Sequence, residues 1–404
     1  MIKAKSILLL LSVACLQVTA QHNVTSNADR ALLKTIDNNF IDAAAQYKLL
    51  AKNLPAGQFP KTYFPATGKY ECSNSSWWCS GFYPGTLLYL YQQTRDSALY
   101  NEAMRMLQLL QKEQFNIHTH DLGFMMYCSF GNANLINPLP EYKEILLNSA
   151  KSLATRFSPV TGCIKSWDGK PNEFLVIIDN MMNLKLLFWA TQASGDSSFY
   201  KIAVSHAGTT LKNHFRANNS SYHVLNYDPL TGVVRQKKTA QGFADESAWG
   251  RGQVWGLYGF TETYRETKDE KYLDQAKKIA AFILSNPHFP ADKITYWDFD
   301  APGIPNELRD ASAAAIMASA LIELSGYVDR SLAQQYLGTA TVILKNLSGK
   351  KYKAAAGTNG GFILQHSVGN MPGKTEIDVP LTYADYYFVE AMMRYKKLFS
   401  PKKN

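Results

Sequence analysis

The sequence predicts an all-α protein in which helical hairpins form a closed ring. The first observation is that apolar residues recur with the 3.6-residue period of amphipathic helices along most of the chain. The clearest segments are 97–113, 143–156, 176–192, 197–214, 247–264, 270–285, 310–325, 331–347 and 382–397. Alternation typical of strands is confined to short pieces such as 222–227. We therefore expect about ten to twelve helices and little sheet.

The second observation is a phrase that recurs where one helix should turn into the next. It begins with an Asp, and apolar residues follow three or four positions later. The phrase starts at Asp96, Asp196, Asp269 and, more weakly, Asp329. Asp suits the N-cap because its carboxylate accepts hydrogen bonds from the first free backbone N–H groups. The repeating unit is thus helix, short turn, helix. An open solenoid is the alternative, but aromatic and Gly-rich interhelix loops favour a closed ring around a central pocket.

Composition supports a single large globular domain. The chain has 404 residues, of which 46% are hydrophobic and 19% charged, which excludes disordered, collagen-like and disulfide-scaffold classes. No linker divides residues 30–396, so we predict one catalytic domain over 21–404. The net charge is +9, but the basic residues are scattered and do not indicate a nucleic-acid partner. A mildly basic surface favours acidic partners, including anionic glycans.

The first 20 residues are typical of a secretory signal peptide. Lys3 and Lys5 precede an apolar run over 7–15, and 18–20 matches a small-x-small cleavage site. We therefore predict cleavage before Gln21, export to the bacterial periplasm and no membrane span. Cys15 leaves a lipoprotein anchor as the alternative. Removing the two lysines would lower the net charge of +9 by two, to +7.

Four cysteines follow the predicted signal: Cys72, Cys79, Cys128 and Cys163. No Cys-x-x-Cys pair is present, and we predict neither a metal nor another cofactor. Cys72 and Cys79 could close a small disulfide loop in an exported protein, or all four could be buried thiols.

Three stretches depart from simple amphipathic patterning, and the first is 118–124, His-Thr-His-Asp-Leu-Gly-Phe. Asp121 is a candidate functional carboxylate, with a helix N-cap or turn as the alternative. The second stretch is 177–184, where Asp179 interrupts an apolar helix and shares a face with Asn183. Apolar neighbours would raise the pKa of Asp179 and suit it to general acid catalysis. The alternative is a buried Asp that caps a neighbouring helix.

The third stretch is 249–259, Trp-Gly-Arg-Gly-Gln-Val-Trp-Gly-Leu-Tyr-Gly. Arg251, Trp255 and Tyr258 would share one helical face, and the glycines at 252, 256 and 259 would lie on another. A guanidinium beside flat rings suits an acidic sugar. Glycine costs about 1 kcal/mol inside a helix relative to Ala, so tight helix packing is the alternative reason for this pattern.

Taken together, these stretches resemble glycoside hydrolase family 88, the unsaturated glucuronyl hydrolases. The resemblance runs from about Trp78 to Arg394, through motifs at 78–85, 120–124, 178–183, 220–223, 249–255 and 383–387 in the family's order. It implies an (α/α)6 barrel. It also implies removal of a terminal 4,5-unsaturated uronic acid from lyase-generated oligosaccharides by hydration of the C4=C5 double bond. Cys79 and Tyr83 depart mildly from the family pattern, which often has Thr and Trp there.

The resemblance also implies roles for individual residues. Asp179 matches the general acid/base and Asp121 the second catalytic aspartate. The predicted substrate-binding residues are Trp78, Phe82, His120, Trp167, Asn183, His223, Gln241, Arg251, Trp255, Ser367 and Lys374. The last two belong to a loop, 365–374, that resembles the family's region near the sugar beyond the scissile bond.

The basic and hydroxyl groups of that loop, with the net positive charge, lead us to expect sulfated heparan- or chondroitin-type fragments as substrates. Separately, we expect the enzyme to be a monomer. Two rival functions remain: hydrolysis of unsaturated galacturonyl-rhamnose by a related family, and non-catalytic glycan binding by a helical surface protein.

Overall fold

The computed structural model describes residues 29–399. The predicted signal peptide, its cleavage site and Cys15 lie outside the described residues, and the predicted domain limits of 21 and 404 stay predictions.

Helices dominate the described chain. The α-helices are α1 (Arg30–Asn53), α2 (Phe82–Thr94), α3 (Ser97–Leu110), α4 (Asn132–Ile136), α5 (Pro140–Ala154), α6 (Leu184–Ser194), α7 (Ser197–Asn213), α8 (Gly250–Thr267), α9 (Glu270–Ser285), α10 (Ala311–Leu324), α11 (Arg330–Leu347) and α12 (Thr382–Phe399). A π-helical segment, Gly123–Gly131, runs directly into α4, and a 3-10 turn, Ile178–Asn183, runs into α6. Two shorter 3-10 turns span Gln111–Phe115 and Asn359–Gly361.

These helices form two concentric rings. In the inner ring, α2, the π-helical segment with α4, α6, α8, α10 and α12 contact one another in that order, and α12 returns to contact α2. In the outer ring, α3, α5, α7, α9 and α11 each pack on the inner element that precedes them, and α1 packs on α2 and α12. The contact of α12 with α2 closes the ring. The protein is therefore an (α/α)6 barrel, as predicted, and the open solenoid is wrong.

Burial explains which helices are inner and which are outer. Nearly every residue of α10, which is rich in Ala, is buried, and the same holds for most of α8 and α12. A helix that is apolar on all sides must have neighbours on all sides. The outer helices bury one stripe only, as in α3, where Leu99, Ala103 and Leu107 face inward. The apolar sequence of α10 thus accounts for its inner position, whereas α8 and α12 bury polar side chains such as Arg251 and Asp385 as well.

The recurring Asp phrase marks the starts of outer helices, as predicted. Asp96, Asp196, Asp269 and Asp329 are the N-caps of α3, α7, α9 and α11, and each carboxylate accepts a backbone N–H of the first turn. The bond from Ser198 N to Asp196 is 2.8 Å long. These caps satisfy donors that the helix itself leaves unpaired.

Short strands occupy the connections between helices. They are β1 (Phe59–Phe64), β2 (Lys69–Ser73), β3 (Phe157–Ser158), β4 (Cys163–Ile164), β5 (Phe174–Ile177), β6 (Val224–Tyr227), β7 (Val234–Lys238), β8 (Ser367–Asn370) and β9 (Thr375–Val379). They pair antiparallel as β1–β2, β3–β4, β5–β6–β7 and β8–β9. The strand expected within 222–227 is β6.

One predicted helix is wrong over its first half. The segment 176–192 was expected to be helical throughout, but its start belongs to β5, and the 3-10 turn follows before α6 begins at Leu184. Val176 and Ile177 pair with Leu225 and Val224 of β6. Tertiary pairing with a strand about 50 residues away in sequence has overridden the local helical pattern.

Two further findings concern the cysteines and the helices. Cys72, Cys79, Cys128 and Cys163 are all unbonded, so the structure contains free thiols and not the Cys72–Cys79 disulfide. Between residues 29 and 399, no helix combines the length and hydropathy that crossing a bilayer requires.

Candidate functional site

A cavity of about 350 Å³ opens among the barrel's connecting loops and hairpins. Charged, aromatic and backbone groups share its wall. The lining residues are Lys61, Glu71, Trp77, Trp78, His120, Asp121, Phe124, Trp167, Ile177, Asp179, Gln241, Arg251, Gly369, Asn370, Thr375, Glu376 and Tyr383. Both predicted catalytic aspartates are among them.

The 3-10 turn places Asp179 in the cavity wall, and α8 supports that turn from behind. A Cβ added at Gly259 would lie 2.5 Å from Met181 Cβ, so only glycine allows α8 and the turn to approach this closely. Gly256 faces Ile178 of the same turn at ordinary contact distance. The tight-packing explanation for the α8 glycines is therefore correct, and this packing positions the carboxyl group of Asp179.

Asp179 is well shielded from water, with a side chain that is 14% exposed. Burial raises its pKa to about 7, against the opposing charge of Arg251, while nearby Asp121 adds to the rise. Its Oδ2 atom has no hydrogen-bond partner among the described residues. A carboxyl group with this pKa is half protonated near neutrality and can both give and accept a proton. Over residues 29–399, no contact supports the alternative of a helix-capping Asp179.

His223 faces Asp179 and is held in one tautomer. Its Nδ1 accepts the backbone N–H groups of Ala240 and Gln241, both at 3.2 Å. The ring proton of neutral His223 must then sit on Nε2, which is 3.7 Å from Asp179 Oδ2. Burial, together with the nearby charge of Arg251, lowers the pKa of His223 to about 3, so the ring is neutral at physiological pH. His223 therefore presents an N–H group towards the carboxyl of Asp179.

Asp121 begins the turn that leads into the π-helical segment, and its side chain makes two polar contacts. Thr119 Oγ1 donates to its Oδ2 at 3.2 Å, and His120 Nε2 lies 3.2 Å from its Oδ1 without forming a hydrogen bond. His120 is itself fixed because its Nδ1 donates to the carbonyl of Ser166 at 2.8 Å. Thr119 thus orients Asp121, which lies in a turn, one of the two alternatives that the sequence left open. The other alternative is wrong, because the N-cap position of the π-helical segment is Leu122.

Asn183 joins the two segments that carry the aspartates. Its Oδ1 accepts the backbone N–H of Phe124 at 2.9 Å. A Cβ at Gly123 would lie 2.5 Å from the Asn183 Cα, so glycine is needed where the two backbones meet. Asn183 is fully buried behind the cavity wall. Asn183 therefore holds the segments that carry Asp121 and Asp179 at a fixed separation.

Arg251 lines the cavity while three of its N–H groups bind protein oxygens. Nη1 donates to Asp310 at 3.0 Å and to the Val368 carbonyl at 2.6 Å, and Nη2 donates to the Gly369 carbonyl at 2.6 Å. These bonds tie β8 to the inner ring. Nη2 also reaches Gln241 Oε1 at 3.5 Å, and this long contact is the one most easily exchanged for a substrate oxygen.

Aromatic rings form the apolar part of the wall. Trp78 packs against Phe124 and Tyr383, with ring centroids 5.6 and 4.9 Å apart. Trp167 meets the edge of His223 with centroids 5.9 Å apart. Flat rings of this kind suit the apolar face of a pyranose.

The structure brings most of the predicted site residues together. Seven line the cavity: Trp78, His120, Asp121, Trp167, Asp179, Gln241 and Arg251. Four lie buried outside that lining: Phe82, Asn183, His223 and Trp255. The remaining two also lie outside the cavity lining. Ser367 is fully buried at the start of β8, and Lys374 is exposed in the turn between β8 and β9. Substrate contact stays a prediction for all thirteen residues.

Ten lining residues were not among the predicted site residues. Trp77, Phe124, Asn370 and Tyr383 lie within or beside the sequence motifs, so their proximity to those motifs was a usable signal. Lys61, Glu71 and Glu376 are on β1, β2 and β9, which the helical pattern gave no reason to place near Asp179.

A substitution that tests Arg251 has to take account of its buried ion pair with Asp310. Removing the guanidinium would leave Asp310 uncompensated, so Arg251→Lys is a better variant than Ala because it keeps the positive charge. If Arg251 binds the substrate carboxylate, we expect kcat/KM to fall roughly 30-fold, which corresponds to about 2 kcal/mol. Steady-state rates on the free acid and its methyl ester give the comparison, and the ester should lose much less. An equal loss for both would mean that Arg251 acts only by holding β8.

Comparisons with known proteins agree with this geometry. The model of Glycosyl Hydrolase Family 88 matches residues 56–395. An unsaturated glucuronyl hydrolase from Formosa agariphila is 42% identical, over 96% of each chain. A solved unsaturated glucuronyl hydrolase specific for heparin is 45% identical, with a TM-score of 0.87 over 90% of this chain and 97% of that one. A mutant unsaturated glucuronyl hydrolase from Streptococcus agalactiae, solved with dGlcA-GalNAc6S, is 26% identical, with a TM-score of 0.78 over 95% and 98%.

Proposed function

This chain belongs to glycoside hydrolase family 88, and from that premise we propose that it removes the terminal 4,5-unsaturated uronic acid from heparin-type oligosaccharides. The broader activity, unsaturated glucuronyl hydrolysis of glycosaminoglycan-derived oligosaccharides, is that of a glycosidase. The single observation that carries the proposal is the shielded carboxyl group of Asp179. It lines a sugar-sized cavity and has a pKa of about 7.

The chemistry needs one proton donor placed over a vinyl ether. Asp179 gives its proton to C4, and positive charge develops at C5 and the ring oxygen. Water adds at C5 and returns a proton to the Asp179 carboxylate, which makes this residue both acid and base. The resulting hemiketal opens and expels the rest of the saccharide.

The surroundings of Asp179 suit these two roles. The neutral His223 N–H faces its carboxyl, so the carboxylate that forms after proton transfer has a donor close by. Asp121, which accepts a hydrogen bond from Thr119, is placed to bind substrate hydroxyl groups or the incoming water. Arg251 supplies positive charge for the uronate carboxylate.

Similarity supports the heparin-type assignment over the chondroitin-type one. The solved relative specific for heparin is 45% identical, whereas the relative solved with dGlcA-GalNAc6S is 26% identical. The expectation that the fragments are sulfated came from the basic and hydroxyl groups of the 365–374 loop and from the net positive charge, but neither Ser367 nor Lys374 lines the cavity.

A panel of unsaturated disaccharides tests the proposal. In each compound of the panel, the same unsaturated uronic acid is linked to N-acetylglucosamine or to N-acetylgalactosamine. Turnover is measured as the loss of C=C absorbance. We expect the glucosamine-linked compounds to give the higher kcat/KM. Faster turnover of the galactosamine-linked compounds would overturn the heparin-type assignment, and no turnover of either would overturn the proposed activity.

A further inference from the structure

Three charged side chains from two hairpins meet at the opening of the cavity. Lys61 lies on β1, Glu71 on β2 and Glu376 on β9, and β1 packs against β9. Glu71 and its neighbour Trp77 are each 42% exposed, which places this group where the cavity meets solvent. We call Lys61, Glu71 and Glu376 the mouth triad.

The cation of the mouth triad is already compensated. Lys61 Nζ forms an ion pair with Glu71, lies 3.8 Å from Glu376 Oε1 and sits over the Trp77 ring, 4.6 Å from its centroid. Burial alone would lower the pKa of Lys61, but the bond to Glu71 and the charge of Glu376 raise it, so the ammonium stays protonated. One cation faces two carboxylates, and the triad has a formal charge of −1 when all three groups are ionised. Burial raises the pKa of Glu376, and the charge of Lys61 opposes that rise.

Glu376 lines the cavity, and its carboxylate is largely shielded from solvent. Its side chain is only 16% exposed, and its carboxylate packs against β8. A Cβ at Gly369 would lie 2.4 Å from Glu376 Oε2, so this glycine leaves the space that the carboxylate fills. A group that enters through the mouth therefore passes a fixed carboxylate.

The rest of the cavity wall has few positive charges that could compensate an added anion such as a sulfate. Among the cavity-lining residues described, the cations other than Lys61 are limited to Arg251, and Arg251 is paired with Asp310 and bonded to two β8 carbonyls. Asp121 and Asp179 add acidic groups deeper in the cavity. A like charge placed against desolvated carboxylates costs binding energy, and this is a common means of rejecting a wrong ligand.

We infer that the mouth triad makes the enzyme discriminate against a sulfate on the sugar beyond the scissile bond, and that hydroxyl or acetamido groups are preferred there. This inference rests on the proposed function and deepens it. It also reverses the expectation of sulfated fragments, because the charged groups at the cavity opening are those of the mouth triad, whereas Lys374 does not line the cavity and Ser367 is uncharged and buried.

The test uses one matched pair of substrates. These are the unsaturated uronyl–N-acetylglucosamine disaccharides with and without a 6-O-sulfate, and the measured quantity is the ratio of their kcat/KM values. We expect the wild type to favour the unsulfated compound about tenfold or more. Glu376→Gln should shrink this ratio and Lys61→Met should enlarge it, because the two substitutions change the local charge in opposite directions. Glu144→Gln, on the exposed face of α5, is the matched control and should leave the ratio unchanged.

Added salt should also shrink the wild-type ratio, because the mouth is partly open to solvent. A wild type that prefers the sulfated compound, with a preference that Lys61→Met abolishes, would overturn the inference and make Lys61 a sulfate ligand. If neither disaccharide reacts, the proposed function fails, but calorimetric binding of both to Asp179→Asn still decides the role of the triad. Equal Kd values would then reject it, and tighter binding of the unsulfated compound would support it.

Discussion

Asp179→Asn is expected to reduce kcat by about 10²- to 10⁴-fold, while the Kd of the unsaturated disaccharide changes little. The amide keeps the size of the carboxyl group but cannot give its proton to C4. Single-turnover absorbance at the C=C band measures the loss, and calorimetry measures the binding. Turnover close to that of the wild type would remove Asp179 from the mechanism.

The pH dependence of thermal stability gives a second expected difference between Asp179→Asn and the wild type. Burial raises the pKa of Asp179 from 3.8 to about 7, so the folded state favours its protonated form. The wild type therefore loses stability as pH rises from about 4 through about 7, and the loss, at most about 4 kcal/mol, is complete above that pH. Asn has no such penalty, so the variant should match the wild type near pH 4 and melt at a higher temperature near pH 8. Thermal unfolding at both pH values tests this, and a variant that is less stable at pH 8 would show that the carboxylate has a stabilising partner.

A saturated glucuronide with the same linkage and the same second sugar is expected to be inert. Proton transfer to C4 needs the electron pair of the vinyl ether double bond, and a saturated ring has none. A conventional glycosidase would instead act at the anomeric carbon, with Asp179 and Asp121 as its carboxylate pair. The saturated compound should still occupy the cavity and inhibit competitively.

Product analysis of both compounds at matched concentration separates the two mechanisms. Release of the second sugar from the unsaturated compound alone supports hydration. Comparable cleavage of the saturated glucuronide would overturn hydration, even though the barrel and the position of both aspartates would stand.

The sequence alone predicted the barrel because its main signals are local. An Asp N-cap such as Asp196 bonds two residues ahead, and the apolar stripe of α3 recurs every turn, so neighbouring residues report both. The prediction that Asp179 would have a raised pKa also came from apolar residues adjacent to it in the chain. The ordered motifs then indicated which carboxyl groups share a cavity, and Asp121 and Asp179 do line one.

The tertiary structure decided what depends on partners distant in sequence. Val176 and Ile177 are strand residues because β6 pairs with them, although their own pattern favours a helix. Arg251 is bonded to Asp310 and to two carbonyls of β8, more than 50 residues away. The mouth triad joins Lys61 to Glu376, which no local pattern connects. Local backbone and burial preferences can be read from a few adjacent residues, whereas the charge at a cavity opening depends on which loops the closed ring brings together.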